Sequence, residues 1–225
     1  MRLAPNDVLG LDHLLALAPV IPVVVLDDPE DAVPLARALV AGGLPVIEVT
    51  LRTPAALAAI ERIAAEVPDA VVGAGTVTSA DHVAGSLAAG ARFLVSPGST
   101  PALLDAMEAS GVPFLPGAST ASEVLALTER AIGVAKLFPA EAVGGVATLK
   151  ALAGPFAQMR FCPTGGIDRE KAAAYLALPN VACVGGSWMV PPARIRAGEW
   201  AAIEALAREA AALRAPAARP VPAAG

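Results

Sequence analysis

Two hydrophobic periods take turns along this chain. Short apolar, β-branched runs recur eight times. They are VIPVVVL from Val20, VIEVTLR from Val46, AVVGAGTV from Ala70 and RFLVSPGS from Arg92, then VPFLPGAS from Val112, VAKLFPAE from Val134, MRFCPTGG from Met159 and VACVGGSW from Val181. Runs of this length and composition suit a pleated strand. Between them lie alanine- and leucine-rich segments in which apolar residues recur at helical spacing. PEDAVPLARALVAGG, from Pro29, opens with proline and acids and closes with glycine, as a helix does. TPAALAAIERIAAE, SADHVAGSLAAG, TPALLDAMEASG, STASEVLALTERA and DREKAAAYLAL follow similar grammar.

Strands that alternate with helices predict βαβ units and a parallel sheet. Eight such units predict an α/β fold, a (β/α)8 TIM barrel. An open doubly wound sheet would carry a Gly-x-Gly-x-x-Gly turn after its first strand; Asp27-Asp28-Pro29 stands there instead. An extra N-terminal helix, roughly residues 6–17, is expected to plug the barrel floor. Residues 1–213 read as one domain, and the Pro/Ala-rich tail 214–225 reads as disordered.

In such barrels the chemistry sits at the carboxyl ends of the strands, and the unusual residues of this chain lie there. Side chains alternate faces along a strand. In VIEVTLR, Ile47, Val49 and Leu51 share the face that suits the helices. Glu48, Thr50 and Arg52 share the other, which would be the interior. A buried carboxylate and guanidinium are costly unless paired or used. In VAKLFPAE, Lys136 and Phe138 turn inward if Leu137 packs outward. The chain has three lysines, and the other two, Lys150 and Lys171, lie in helical segments. Desolvation favours the neutral form of an amine, and a neutral amine attacks carbonyl carbon. A plain structural ion pair between Lys136 and Glu48 is the alternative.

Two glycine loops suggest a phosphate cradle. PTGGID, with Gly165 and Gly166, precedes a helix opened by Asp168. VGGSW carries Gly186 and Ser187. In barrels a phosphate often sits after strands seven and eight, on backbone N–H groups. Thr76 of GAGT and Ser96-Pro97-Gly98 lie where they can complete the site, though each suits an ordinary turn. Lysine, carboxylate, arginine and phosphate cradle together point to a carbonyl substrate with a carboxylate at one end and a phosphate at the other. Lys136 would form an imine, Glu48 would move protons, and Arg52 would clamp the carboxylate.

Composition narrows the class. The 225-residue chain is 56% hydrophobic, 16% charged and 4% aromatic, with a net charge of −5. No basic patch and few stacking platforms argue against nucleic acid. LLALAPVIPVVVL is short and broken by Pro19 and Pro22, so no membrane span is expected. Asp7 and Asp12, without a basic leader, do not suit a signal peptide. Cys162 and Cys183 lack metal spacing and form no disulfide framework. His13 and His82 fall in helical stretches without ligand partners. A reduced, cytoplasmic setting, no metal and no cofactor are the expectation.

GLPVIEVTLR (43–52) and KLFPAEAVGG (136–145) resemble the two signature motifs of the 2-keto-3-deoxy-6-phosphogluconate and 4-hydroxy-2-oxoglutarate aldolases. GAGTV, SPG, FCPTGG and VGGSWMV fit that family in order and spacing, from about Leu14 to Leu213. The resemblance implies a class I aldolase, a lyase acting on a small phosphorylated 2-keto acid. Lys136 would carry the Schiff base with pyruvate, and Glu48 would be the acid/base, through a water. Arg52 and Thr76 would hold the carboxylate, with Pro97, Phe138 and Thr164 around the pyruvyl group. Gly165, Gly166, Gly186 and Ser187 would bind phosphate, and the assembly would be a homotrimer.

Two departures stand out. Ala135 replaces a larger apolar residue, and Ala18-Pro19 replaces an arginine that some relatives carry before the first strand. Thr164 resembles the gluconate-type branch. A phosphogalactonate aldolase, a barrel isomerase or epimerase without an imine, and a non-catalytic oligomeric scaffold remain as alternatives.

Overall fold

A computed structural model describes residues 10–213. The two short ends, including the tail 214–225, lie outside the described residues. The strands are β1 (Val20–Val24), β2 (Val46–Thr50), β3 (Val71–Gly75), β4 (Leu94–Val95), β5 (Phe114–Leu115), β6 (Gly117–Ala118), β7 (Val134–Leu137), β8 (Arg160–Pro163) and β9 (Val184–Gly186). The helices are α1 (Leu11–Ala16), α2 (Ala32–Ala41), α3 (Ala56–Glu66), α4 (Ala80–Ala88) and α5 (Pro101–Ala109), then α6 (Ala121–Glu129), α7 (Gly145–Ala153), α8 (Arg169–Leu176), α9 (Pro192–Arg196) and α10 (Trp200–Ala211). Local chemistry sets many of these ends. Ser79, Thr100 and Asp168 cap α4, α5 and α8 through their side chains, and Thr120 with Glu123 forms a full capping box on α6.

All strand pairs are parallel, and the sheet curls. Six strands run in the order β5-β4-β3-β2-β1-β9, and three in the order β6-β7-β8. This differs in detail from eight uninterrupted strands. The fifth run is broken at Pro116, which has no N–H for a ladder, into β5 and β6. The two sheets meet at that break and again where single bridges join Phe161 to Val181 and Thr164 to Gly185. The N-terminal helix is shorter than expected: α1 begins at Leu11, and residues 6–9 of the predicted segment are outside the described part. Helices α7, α9 and α10 come from segments that the sequence reading left unassigned. The last returns to α2 through a close approach, because a Cβ on Gly42 would stand 2.4 Å from that of Ala207.

Alternation along the strands separates two apolar layers. Ile47, Val49, Ala135, Leu137 and Phe161 face the helices. Leu14, Leu15, Ile21, Val46, Val71, Phe93, Leu115 and Val134 gather inside the curl. Burying each large aliphatic side chain contributes about 1.5–3 kcal/mol. Ala135, fully buried on the helix face, affects packing against helices rather than the interior. The inner layer is apolar near the strand starts. It becomes polar one step further on, with Glu48 at 3% and Lys136 at 5% exposure.

Candidate active site

The two inward charges come from strands far apart in sequence. Lys136 Nζ donates to Glu48 Oε1 at 3.0 Å. The same ammonium stands 5.4 Å from the centre of the Phe138 ring, within cation–π range. Glu48 lies opposite Val23 on one side and Gly73 on the other. Lys136 lies opposite Gly117 and Cys162. Thr50, the next inward residue of β2, donates its hydroxyl to the Val24 carbonyl at 2.8 Å. Two thiols share this interior. Cys183 donates to Cys162 across 3.4 Å, and that bond together with full burial pushes the Cys183 thiol well above its usual range. A thiol kept neutral is a poor nucleophile, which argues against Cys183 as an attacking group.

Arg52 is the one site residue whose placement differs from the sequence reading. It is exposed, not buried in the interior. The ladder of β2 stops at Thr50, and the Arg52 amide donates back to the Thr50 carbonyl at 2.8 Å, turning the chain outward. Its guanidinium has no ion-pair partner among the described residues.

The other predicted residues gather at the carboxyl ends. Thr76 follows β3 in a left-handed conformation, φ 58°, one that a β-branched residue adopts only where its surroundings impose it. Pro97 follows β4, and its backbone packs so closely on Gly117 that a Cβ there would be 2.3 Å away. Phe138 follows β7. Thr164 follows β8, is buried, and accepts the Ala140 amide on its carbonyl at 2.8 Å. Gly165 and Gly166 have φ of 106° and 77°, so the loop itself requires glycine. Gly186 ends β9 beneath the Trp188 ring, and Ser187 is exposed beside it.

Behind this glycine loop lies a cluster that the sequence reading missed. Glu141 accepts hydrogen bonds from the Tyr175 hydroxyl on one oxygen and pairs with Lys171 at 3.2 Å on the other. Lys171 also donates to the Gly166 carbonyl at 2.9 Å and faces Asp168 at 3.6 Å. The Glu141 amide donates to the Gly165 carbonyl at 3.1 Å. The turn after the lysine strand therefore braces the glycine loop from outside. The Tyr175 hydrogen bond holds the Glu141 carboxyl below its ordinary value. Burial and the same bond push the Tyr175 phenol up. The only local signal was the i,i+3 spacing of Asp168 and Lys171; Glu141 and Tyr175 are 34 residues apart. Among the described residues, no helix is long and apolar enough to cross a membrane.

A family model described as KDPG and KHG aldolase matches residues 11–206. The chain is 52% identical over 201 residues to the 2-dehydro-3-deoxy-phosphogluconate aldolase of Dickeya dadantii, covering 89% of this chain and 94% of that protein. Its structure is similar to the crystal structure of KDPG aldolase from Legionella pneumophila with pyruvate captured as a covalent carbinolamine intermediate. That match has a TM-score of 0.87 and 47% identity over 89% of this chain and 97% of the other. It is equally similar to the Zymomonas mobilis ZM4 KDPG aldolase solved with 3-phosphoglycerate, with a TM-score of 0.87, 48% identity, and coverage of 96% and 100%.

Proposed function

Because the chain belongs to the KDPG and KHG aldolase family, we propose that it is a class I aldolase working through a Schiff base on Lys136. Its reaction is the cleavage of 2-keto-3-deoxy-6-phosphogluconate to pyruvate and glyceraldehyde 3-phosphate. The same steps cleave 4-hydroxy-2-oxoglutarate to pyruvate and glyoxylate. The observation that carries this reading is the buried Lys136–Glu48 pair, 3.0 Å apart, where the interior turns polar.

The chemistry follows from those two groups. The amine of Lys136 adds to the C2 carbonyl, and the carbinolamine loses water to give an iminium ion. Glu48, through a water, takes the proton of the C4 hydroxyl. The C3–C4 bond breaks, its electron pair moves into the iminium to make an enamine, and the aldehyde leaves. Glu48 returns a proton to C3, and hydrolysis of the iminium releases pyruvate. The imine is itself the electron sink, so these steps require no cofactor and no metal ion.

Arg52 lies at the mouth with its donors uncommitted, which suits a substrate carboxylate, and Thr76 helps to hold it. Pro97, Phe138 and Thr164 surround the pyruvyl group. Gly165, Gly166, Gly186 and Ser187 take the phosphate on backbone N–H groups and one hydroxyl. We propose further that the two sheets close into an eight-stranded barrel floored by α1, that 1–213 form one domain, and that the enzyme is a cytoplasmic homotrimer. The two seams between the sheets support the first of these; the family resemblance supports the assembly.

Incubation with pyruvate and sodium borohydride, followed by mass spectrometry of peptides, tests the reading. An irreversible adduct on Lys136, absent in Lys136→Ala, is expected. An isomerase or a scaffold gives none, and an unmodified protein would overturn the proposal.

A further inference from the structure

The inner face of β3 carries two glycines, and each one leaves room for a different neighbour. Val71, Gly73 and Gly75 share that face by alternation, and Val71 belongs to the inner apolar layer. A Cβ on Gly73 would lie 2.4 Å from the edge of the Phe93 ring. A Cβ on Gly75 would lie 2.2 Å from Glu48 Oε1, 2.6 Å from its Cγ and 2.8 Å from its Cδ. Neither glycine has a positive φ, so alanine suits the backbone at both. The space beside them, not the backbone, is what requires glycine.

We infer that Gly75 is a positioning residue for Glu48. The volume of its missing side chain is where the carboxylate must stand to meet Lys136. Glu48 is walled in elsewhere: it is 3% exposed and tied to Lys136 at 3.0 Å. Ordinary van der Waals contact begins near 3.4 Å, so a methyl group at position 75 moves the carboxylate by on the order of 1 Å. A displacement of that size at a reacting group can cost about 100-fold in rate. The group that yields at Gly75 is the Glu48 side chain from Cγ outward. At Gly73 it is a rigid, buried ring. One substitution, made two residues apart on one strand, therefore separates a cost to catalysis from a cost to folding.

The inference rests on the acid/base role given to Glu48 above, and the test keeps the two apart. Gly75→Ala, Gly73→Ala, Glu48→Gln and wild type are compared in pyruvate trapping by borohydride, deuterium exchange of the pyruvate methyl group, kcat and KM for cleavage, and Tm. Gly75→Ala is expected to trap pyruvate on Lys136 and to keep its KM within about threefold. It is expected to lose methyl exchange and kcat by about 100-fold. Gly73→Ala is expected to lower Tm by about 2–12 °C without that split between trapping and exchange. If Glu48→Gln is slow while Gly75→Ala exchanges at the wild-type rate, the positioning role is wrong and the Glu48 role stands. If Glu48→Gln exchanges at the wild-type rate, both fall.

A double-mutant cycle covers the case in which Gly75→Ala folds poorly. In a Glu48→Ala background the space is empty, so adding Gly75→Ala should leave Tm unchanged. Additive losses in Tm would show that Gly75 and Glu48 do not compete for that volume.

Discussion

Among the described residues, two lysine–glutamate pairs have nearly equal length and very different surroundings. Lys136 and Glu48 are 3.0 Å apart, with side chains 6% and 4% exposed. Lys171 and Glu141 are 3.2 Å apart, with side chains 46% and 35% exposed. The chemical groups are the same, and the separation differs little. Burial decides what each pair can do. Water around the outer pair screens its attraction, so it contributes little and is easily exchanged for other contacts. The inner pair has given up its hydration, and removing one partner leaves the other charged and dry. A fold gains little from such a pair that apolar residues would not supply. Its retention here fits chemistry, whereas the outer pair fits support of a loop.

The comparison is tested most severely at Lys136. Lys136→Met removes the proposed nucleophile and strands the carboxylate of Glu48, so both trapping and cleavage should vanish. Breaking a buried pair costs about 3–5 kcal/mol, which for a chain of this size lowers Tm by about 6–20 °C. Replacing both partners, Lys136→Met with Glu48→Leu, should recover much of that stability and none of the activity. Equal Tm for the single and double variants would show that the interior does not penalise the lone carboxylate. Next in size is Glu48→Gln. It keeps a polar group of the same shape beside Lys136, so pyruvate should still be trapped while kcat falls by about 100-fold. Full turnover would remove Glu48 from the proton transfers.

Smaller effects belong to the outer cluster, and pH reads them. The Tyr175 hydrogen bond is the main cause of the lowered Glu141 value. A carboxyl lowered on folding stabilises the fold above its unfolded value, near 4.5, and loses that contribution as pH falls through the folded value. The phenol is raised on folding, so its contribution is present below the ordinary value of 10 and fades as pH rises further. The stability gap between wild type and Tyr175→Phe should thus be flat between about pH 4.5 and 10. It should narrow on both sides. Chemical denaturation across pH measures it, and a gap independent of pH would mean that Tyr175 acts by packing alone.

The inner pair was legible in the sequence because it breaks a pattern. In VIEVTLR and VAKLFPAE the apolar positions Ile47, Val49, Ala135 and Leu137 fix one face, and alternation then assigns Glu48 and Lys136 to the other. Where a strand stops was not legible in the same way. Arg52 continues the alternation by number, yet the ladder ends at Thr50, because pairing depends on the neighbouring strand rather than on the run itself. Pro116 carried its own signal, a missing N–H, and did split the fifth run. The competition between Gly75 and Glu48 is a matter of side-chain volume across two strands, which no local period encodes. Glu141, Lys171 and Tyr175 look in sequence like any helix-surface or turn residues. Only the folded chain brings them behind Gly165 and Gly166.

The least effect, and the one that separates the two pairs most finely, is expected from Lys171→Met. Lys171 ties the Gly166 carbonyl to Glu141 from outside the site. An exposed pair contributes little, so Tm should move only slightly and by less still at high salt, where exposed charges are screened. Pyruvate has no phosphate to place on the glycine loop, so its trapping at Lys136 should be unchanged. A loosened glycine loop should matter only to a substrate that uses it. KM for the phosphorylated keto acid should therefore rise a few-fold, and KM for 4-hydroxy-2-oxoglutarate, which has no phosphate, should stay the same. A parallel rise in both would place the effect of Lys171 on the pyruvyl end, and the division of labour between the buried and the exposed pair would fail.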